Sequence, residues 1–64
     1  MARYNQGSKR DDEYQAGVAW ARKNVSGKSA SERKALALRK GNARNDDKLR
    51  ASSPFWMGVY DFTA

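Results

Sequence analysis

Hydrophobic and polar positions recur with a helical period in two stretches of this chain and merge into one apolar run at its end. Projected at about 100° per residue, Tyr14, Gly17, Val18, Ala21 and Val25 fall on one stripe, with Gln15, Ala19, Arg22 and Lys23 opposite. Trp20 and Ala16 flank the stripe. Ser8 and Asp11 fit the S-x-x-D capping signature, and Asp11, Asp12 and Glu13 lie in the first turn, where the helix dipole favours negative charge. The pattern predicts a helix over about 9–25, stopped in "VSGKS" by Gly27 as a left-handed residue. Residues 1–7 show no periodicity, end in Gly7 and read as a mobile arm bearing Arg3 and Tyr4.

Ser29 and Glu32 form a second capping box, followed by the strong helix formers of "ERKALALRK", so a helix is predicted over about 29–41. Gly41 and Asn42 end or kink it. If it resumes over about 43–51, Ala35, Leu38 and Leu49 share a stripe that Asn42 and Asn45 interrupt. Ser53 as cap with Pro54 in the first helical position starts a short helix over about 54–62. A strand is the competing reading of "PFWMGVYDF", but no second apolar run stands ready to pair with it. The chain is therefore read as all-α: the arm, then one small domain of two or three helices over 8–64.

The terminal run holds Phe55, Trp56, Tyr60 and Phe62, four of the seven aromatic residues. Phe55, Val59 and Phe62 share a face and are expected to complete a core against Tyr14, Val18 and Leu38. Trp56 and Tyr60, four apart, point elsewhere and are expected to stay partly exposed. Gly17 and Gly58 sit beside aromatics on the first and last helices, where a missing side chain lets two backbones approach, so these helices are expected to cross there.

Composition narrows the function. A 64-residue chain has room for one thin core, and a partner or a second copy of the chain can supply further burial. Thirteen Lys and Arg against seven Asp and Glu give a net charge of +6, a field that favours polyanions. Without cysteine or histidine there is no disulfide frame, no thiolate metal site and no imidazole base. No apolar run is long enough to span a membrane and "MARYNQGSKR" lacks the apolar stretch of a signal peptide, so a cytoplasmic protein is expected.

No catalytic set emerges, and the chain is read as a non-enzyme that needs no cofactor. Asp46 and Asp47 are adjacent, so on a helix they diverge by about 100° and do not converge on one metal ion. Gly27-Lys28-Ser29 matches the end of a P-loop, but position 22 is Arg instead of Gly and no strand precedes it.

The cations are more informative. On one continuous helix Arg33, Lys40, Arg44 and Lys48 would project within about 80° of each other along some 22 Å, a stripe able to follow a phosphate backbone. With Arg22, Lys23, Lys28 and Arg3 they give a basic surface beside the Trp56/Tyr60 face, the pairing used where bases stack and phosphates are neutralised. A plain solvated face with both rings buried is the simpler alternative. A DNA-reading helix-turn-helix would place Asp46 and Asp47 in its second helix, with almost no apolar residue to hold it.

Two short motifs resemble a known family. "EYQAG" at 13–17 is similar to the Tyr-Gln-Ala-Gly opening of ribosome modulation factor, and "FWMGVY" at 55–60 resembles its C-terminal Trp-Leu-Gly-Gly-Trp. The resemblance implies a small basic bacterial protein that binds ribosomal RNA on the small subunit and promotes inactive ribosome dimers. Tyr14, Gln15 and Gly17 take the places of the first motif; Trp56, Gly58 and Tyr60 take those of the family's Trp, first Gly and second Trp. Val59 replaces the second glycine, the family's Pro-Tyr loop is missing, and "ASERKALALRKGNARNDDKLR" would be an insertion.

Together these readings point to an RNA-binding protein, ribosome-associated by resemblance, with Arg22, Lys23, Arg33, Lys40, Arg44, Lys48, Trp56 and Tyr60 as contacts. The rival is a phage-type or regulatory protein that binds and inhibits a host protein through its aromatic C-terminal patch, since interface hot spots are rich in Trp, Tyr and Arg.

Overall fold

Each helix in the computed structural model, which describes residues 3–63, begins at a side-chain cap. Ser8 Oγ accepts from Asp11 N–H (3.1 Å) and starts α1, Lys9–Asn24. Ser29 Oγ accepts from Glu32 N–H (3.2 Å) and starts α2, Ala30–Lys40, the Glu32 carboxylate in turn accepting from the Ser29 hydroxyl. Asn45 Oδ1 accepts from Lys48 N–H (2.9 Å) at α3, Asp46–Ser52. Ser53, with Pro54 in the first turn, caps α4, Pro54–Asp61. Capping by such side chains contributes about 1 kcal/mol each. The domain is all-α, with no strand among the described residues.

The segment expected to resume after Gly41 is thus a helix of its own, and the chain break has a defined chemistry. Asn42 takes a left-handed conformation (φ 54°), its N–H bonds Arg39 C=O (3.2 Å) and the Ala43 N–H bonds Leu38 C=O (3.0 Å), the paired bonds of a Schellman stop with asparagine in glycine's place. Gly27, expected to stop α1 left-handed, does not; Val25 caps α1 with φ −130° and its N–H on Ala21 C=O. Of the segment read as an arm, residues 1 and 2 lie outside the described residues, while Arg3 and Tyr4 are seated on the domain.

The helices α1, α2 and α3 each make their main helix–helix contact with α4. The expected glycine crossing is present: a methyl on Gly17 would overlap the Phe55 carbonyl, and one on Gly58 would overlap the Tyr14 carbonyl. Around this crossing lie Tyr14, Ala21, Val25, Ala37, Leu49, Met57, Val59 and Phe62, all buried. Two expectations are corrected. Phe55 is only half-buried, and the fully buried Met57 takes the core place assigned to it; α4 packs against three helices, so its buried face is wider than one apolar stripe. Val18 and Leu38 border the core without being fully enclosed.

A polar lock closes one end of the α1/α4 pair. Asp61 Oδ2 accepts from Arg3 Nε (2.7 Å) and from the Tyr14 hydroxyl (2.9 Å), and Arg3 Nη2 lies 3.6 Å from Asp46. Burial, then the hydrogen bond to Asp61, raises the Tyr14 phenol to about 12. The Tyr4 ring packs edge-on against Tyr14 at 5.5 Å, and its hydroxyl donates to Arg50 C=O (2.7 Å).

Candidate nucleic-acid interface

The other end of the pair carries an aromatic patch. Trp20 projects from α1 beside the apolar stripe, and Phe55 and Trp56 open α4. The rings meet nearly edge-to-face, with centroids 5.2 Å apart for Trp20–Trp56 and 5.0 Å for Phe55–Trp56, and Trp20–Phe55 at 6.1 Å. All three are half-buried. Neither indole N–H has a hydrogen-bond partner among the described residues, and neither is a buried orphan, since Asp11 Oδ1 is the one such side-chain atom among them. Both indoles therefore keep a donor open to solvent beside a partly open ring face. One turn along α4 the half-buried Tyr60 ring lies under the Lys34 ammonium, 5.4 Å from the ring centre.

A cation borders the patch. Lys23 lies three residues beyond Trp20 and so one turn away on the same side of α1, whereas the exposed Arg22, two residues beyond Trp20, projects to the other side. A side chain on Gly41 would run into Leu49 and touch the Trp56 Cβ, which places the α2–α3 turn beside the backbone end of Trp56, with the exposed Lys40 one residue before it. Arg44 and Lys48 then line one shallow groove of about 560 Å³ with Asn42, Ala43, Ala51 and Ser52.

The structure breaks the expected single stripe of Arg33, Lys40, Arg44 and Lys48. Asn42 turns the chain between Lys40 and Arg44, so no straight helix carries the four. Arg33 is not a surface cation at all: it is 7% exposed, its Nε donates to Val59 C=O (3.1 Å), its Nη2 to Tyr60 C=O (3.4 Å), and its guanidinium lies 5.7 Å from the Phe62 ring centre. It caps the C-terminal carbonyls of α4 and is unavailable to a phosphate. Of the expected contacts, Arg22, Lys23, Lys40, Arg44 and Lys48 are exposed and Trp56 is half-buried; Arg44 and Lys48 share one groove, Lys23 lies on the Trp20 side of α1, Arg22 lies on the other side, and Tyr60 is occupied by Lys34. Sequence reasoning did not foresee that Trp20 joins Trp56 or that Lys34 covers Tyr60; the position of Trp20 on the flank of its stripe was the available signal.

Among the described residues no group of His, Cys, Asp or Glu could hold a metal ion, and no helix is long and apolar enough to cross a membrane. No family model, no curated protein and no solved structure matches the chain. Within the molecule, the two segments that resemble ribosome modulation factor motifs meet each other, because Gly17 packs on Phe55 and Gly58 on Tyr14.

Proposed function

We propose that this protein binds RNA in the cytoplasm, stacking bases on the Trp20/Phe55/Trp56 patch and neutralising phosphates with Lys23, Lys40, Arg44 and Lys48. The observation that supports this reading is the pair of half-open indoles, each with an N–H that no group among the described residues accepts, beside Lys23 and the α2–α3 turn. Base-on-aromatic stacking contributes about 1–3 kcal/mol per base, and each phosphate contact adds counterion release. The resemblance adds ribosomal RNA as the class of RNA. The protein is a binder in this reading and carries out no reaction.

A titration with a short oligouridine, followed by tryptophan fluorescence, tests it. Binding quenches the indoles, and with four phosphate contacts the log–log salt slope is near −3, at about −0.7 per contact. Affinity unchanged between low and moderate salt, with a partner retained from lysate after ribonuclease treatment, would instead establish the host-protein reading.

A further inference from the structure

A second cationic feature lies outside the aromatic patch. Arg3, Arg10 and Arg50 converge with Tyr4, Asn5 and Ser8 on an open groove of about 430 Å³. Arg10 and Trp20 are ten residues apart on α1, about 15 Å along its axis. The chain thus brings together a residue before α1, the first turn of α1 and the last turn of α3.

The three guanidinium groups differ in what holds them. Arg3 is matched by Asp61 and, more distantly, by Asp46. Among the described residues Arg10 reaches only the Ala51 carbonyl, through two long bonds of 3.3 Å from its terminal nitrogens. The Arg50 side chain has no carboxylate within ion-pair distance and no hydrogen bond among the described residues. On α1 the Asp11 carboxylate accepts from the Gly7 N–H (3.4 Å). Two guanidinium groups without counter-charge therefore share a groove with a third, and like charges gathered this way repel until an anion enters. Ser8 Oγ uses its lone pair on Asp11 N–H, which leaves its hydroxyl hydrogen free to donate. The Tyr4 phenol feels the same field, since Arg10, Arg50 and Arg3 each act to lower its pKa against the larger effect of burial, which raises it.

We propose that this groove is a phosphate site, in which Arg10 and Arg50 grip the oxyanion as planar forks and the Ser8 hydroxyl donates a further hydrogen bond. Planar bidentate donors on two helices suit a tetrahedral oxyanion better than a lone ammonium does. The phosphate can belong to a polynucleotide backbone or to a small phosphorylated molecule. The inference does not rest on RNA stacking at the aromatic patch.

The test follows the arginine Nε–Hε signals by NMR while sodium pyrophosphate or a short oligouridine is added at constant ionic strength. Pyrophosphate is expected to shift the Arg10 and Arg50 signals saturably. Arg50→Gln, which removes no hydrogen bond seen in the fold, weakens binding about tenfold, while Arg39→Gln, at an exposed cation elsewhere on the surface, leaves it unchanged. Oligouridine that moves the same signals and competes with pyrophosphate identifies a backbone phosphate; pyrophosphate acting alone identifies a small phosphorylated ligand. Either result supports the site. Arg10 and Arg50 signals unmoved by both probes, or an Arg50→Gln protein that binds as tightly as the parent, would overturn it. Indole quenching reports separately on the aromatic patch, so failure of one reading is distinguishable from failure of the other.

Discussion

The two ends of the α1/α4 pair use nearly the same ring packing for different purposes. Tyr4 meets Tyr14 at 5.5 Å and 61°, and Trp20 meets Trp56 at 5.2 Å and 78°. Such pairs each add about 0.5–1.5 kcal/mol beyond the area they bury. The difference lies in the polar atoms. Both tyrosine hydroxyls are spent on the protein, on Arg50 C=O and on Asp61. Neither indole N–H is spent on any group among the described residues. An aromatic cluster whose donors are satisfied within the fold is a fastener, and one whose donors remain open is a surface. Ring geometry alone does not separate them.

The strongest way to break the contrast is to part the two helices on which both clusters depend. Gly17→Ala or Gly58→Ala would drive a methyl into a backbone carbonyl, and a loss of about 4 kcal/mol or more is expected, enough to unfold a domain of this size. Circular-dichroism melting measures it; a cooperative melt within a few degrees of the parent would show that the crossing is looser than described.

Next in size, Asp61→Ala strips the fastener of its acceptor and should lower stability by about 1.5–3 kcal/mol, because the Arg3 guanidinium and the Tyr14 hydroxyl both lose a charged partner. Indole quenching by oligouridine should persist in the folded fraction. Loss of quenching there would mean that the two ends are coupled.

Trp56→Ala probes the surface end. It should weaken RNA binding by about 1–3 kcal/mol while the protein stays folded. A protein that unfolds on this change would place Trp56 in the core and remove the contrast with Tyr14.

The smallest effect comes from Tyr14→Phe, about 1 kcal/mol at neutral pH. Its sign with pH is fixed by the raised phenol. A group whose folded pKa of about 12 exceeds the ordinary value near 10 contributes fully below 10 and loses that contribution as pH rises through 12. Parent and variant should therefore differ below pH 10 and converge by pH 12 in paired melts. A difference that does not shrink over that window would contradict the burial of the Tyr14 phenol together with its hydrogen bond to Asp61.

What was legible in the sequence was local or carried by an unusual residue. The caps at Ser8, Ser29 and Ser53 depend on contacts three residues apart, so their spacing announces them. Gly17 and Gly58 stand beside aromatics on helix faces, where their lack of a side chain has few other uses. What escaped depends on partners far along the chain. Arg33 reads as a surface cation until the carbonyls at the end of α4, 26 and 27 residues away, take up its donors. Asp61 receives Arg3 from 58 positions away and Tyr14 from 47. The basic stripe required one straight helix, and a single left-handed asparagine removed it. The choice between Phe55 and Met57 for the core turned on how many neighbours surround α4, which its own periodicity does not encode.

The hub position of α4 has a consequence for cooperativity. Because α1, α2 and α3 pack chiefly on α4, and on one another little, local opening of α4 takes away the main docking surface of all three at once. Short helices are marginal alone in water, so the other three loosen with it. Amide protons in all four helices therefore exchange through one shared opening rather than through four separate ones.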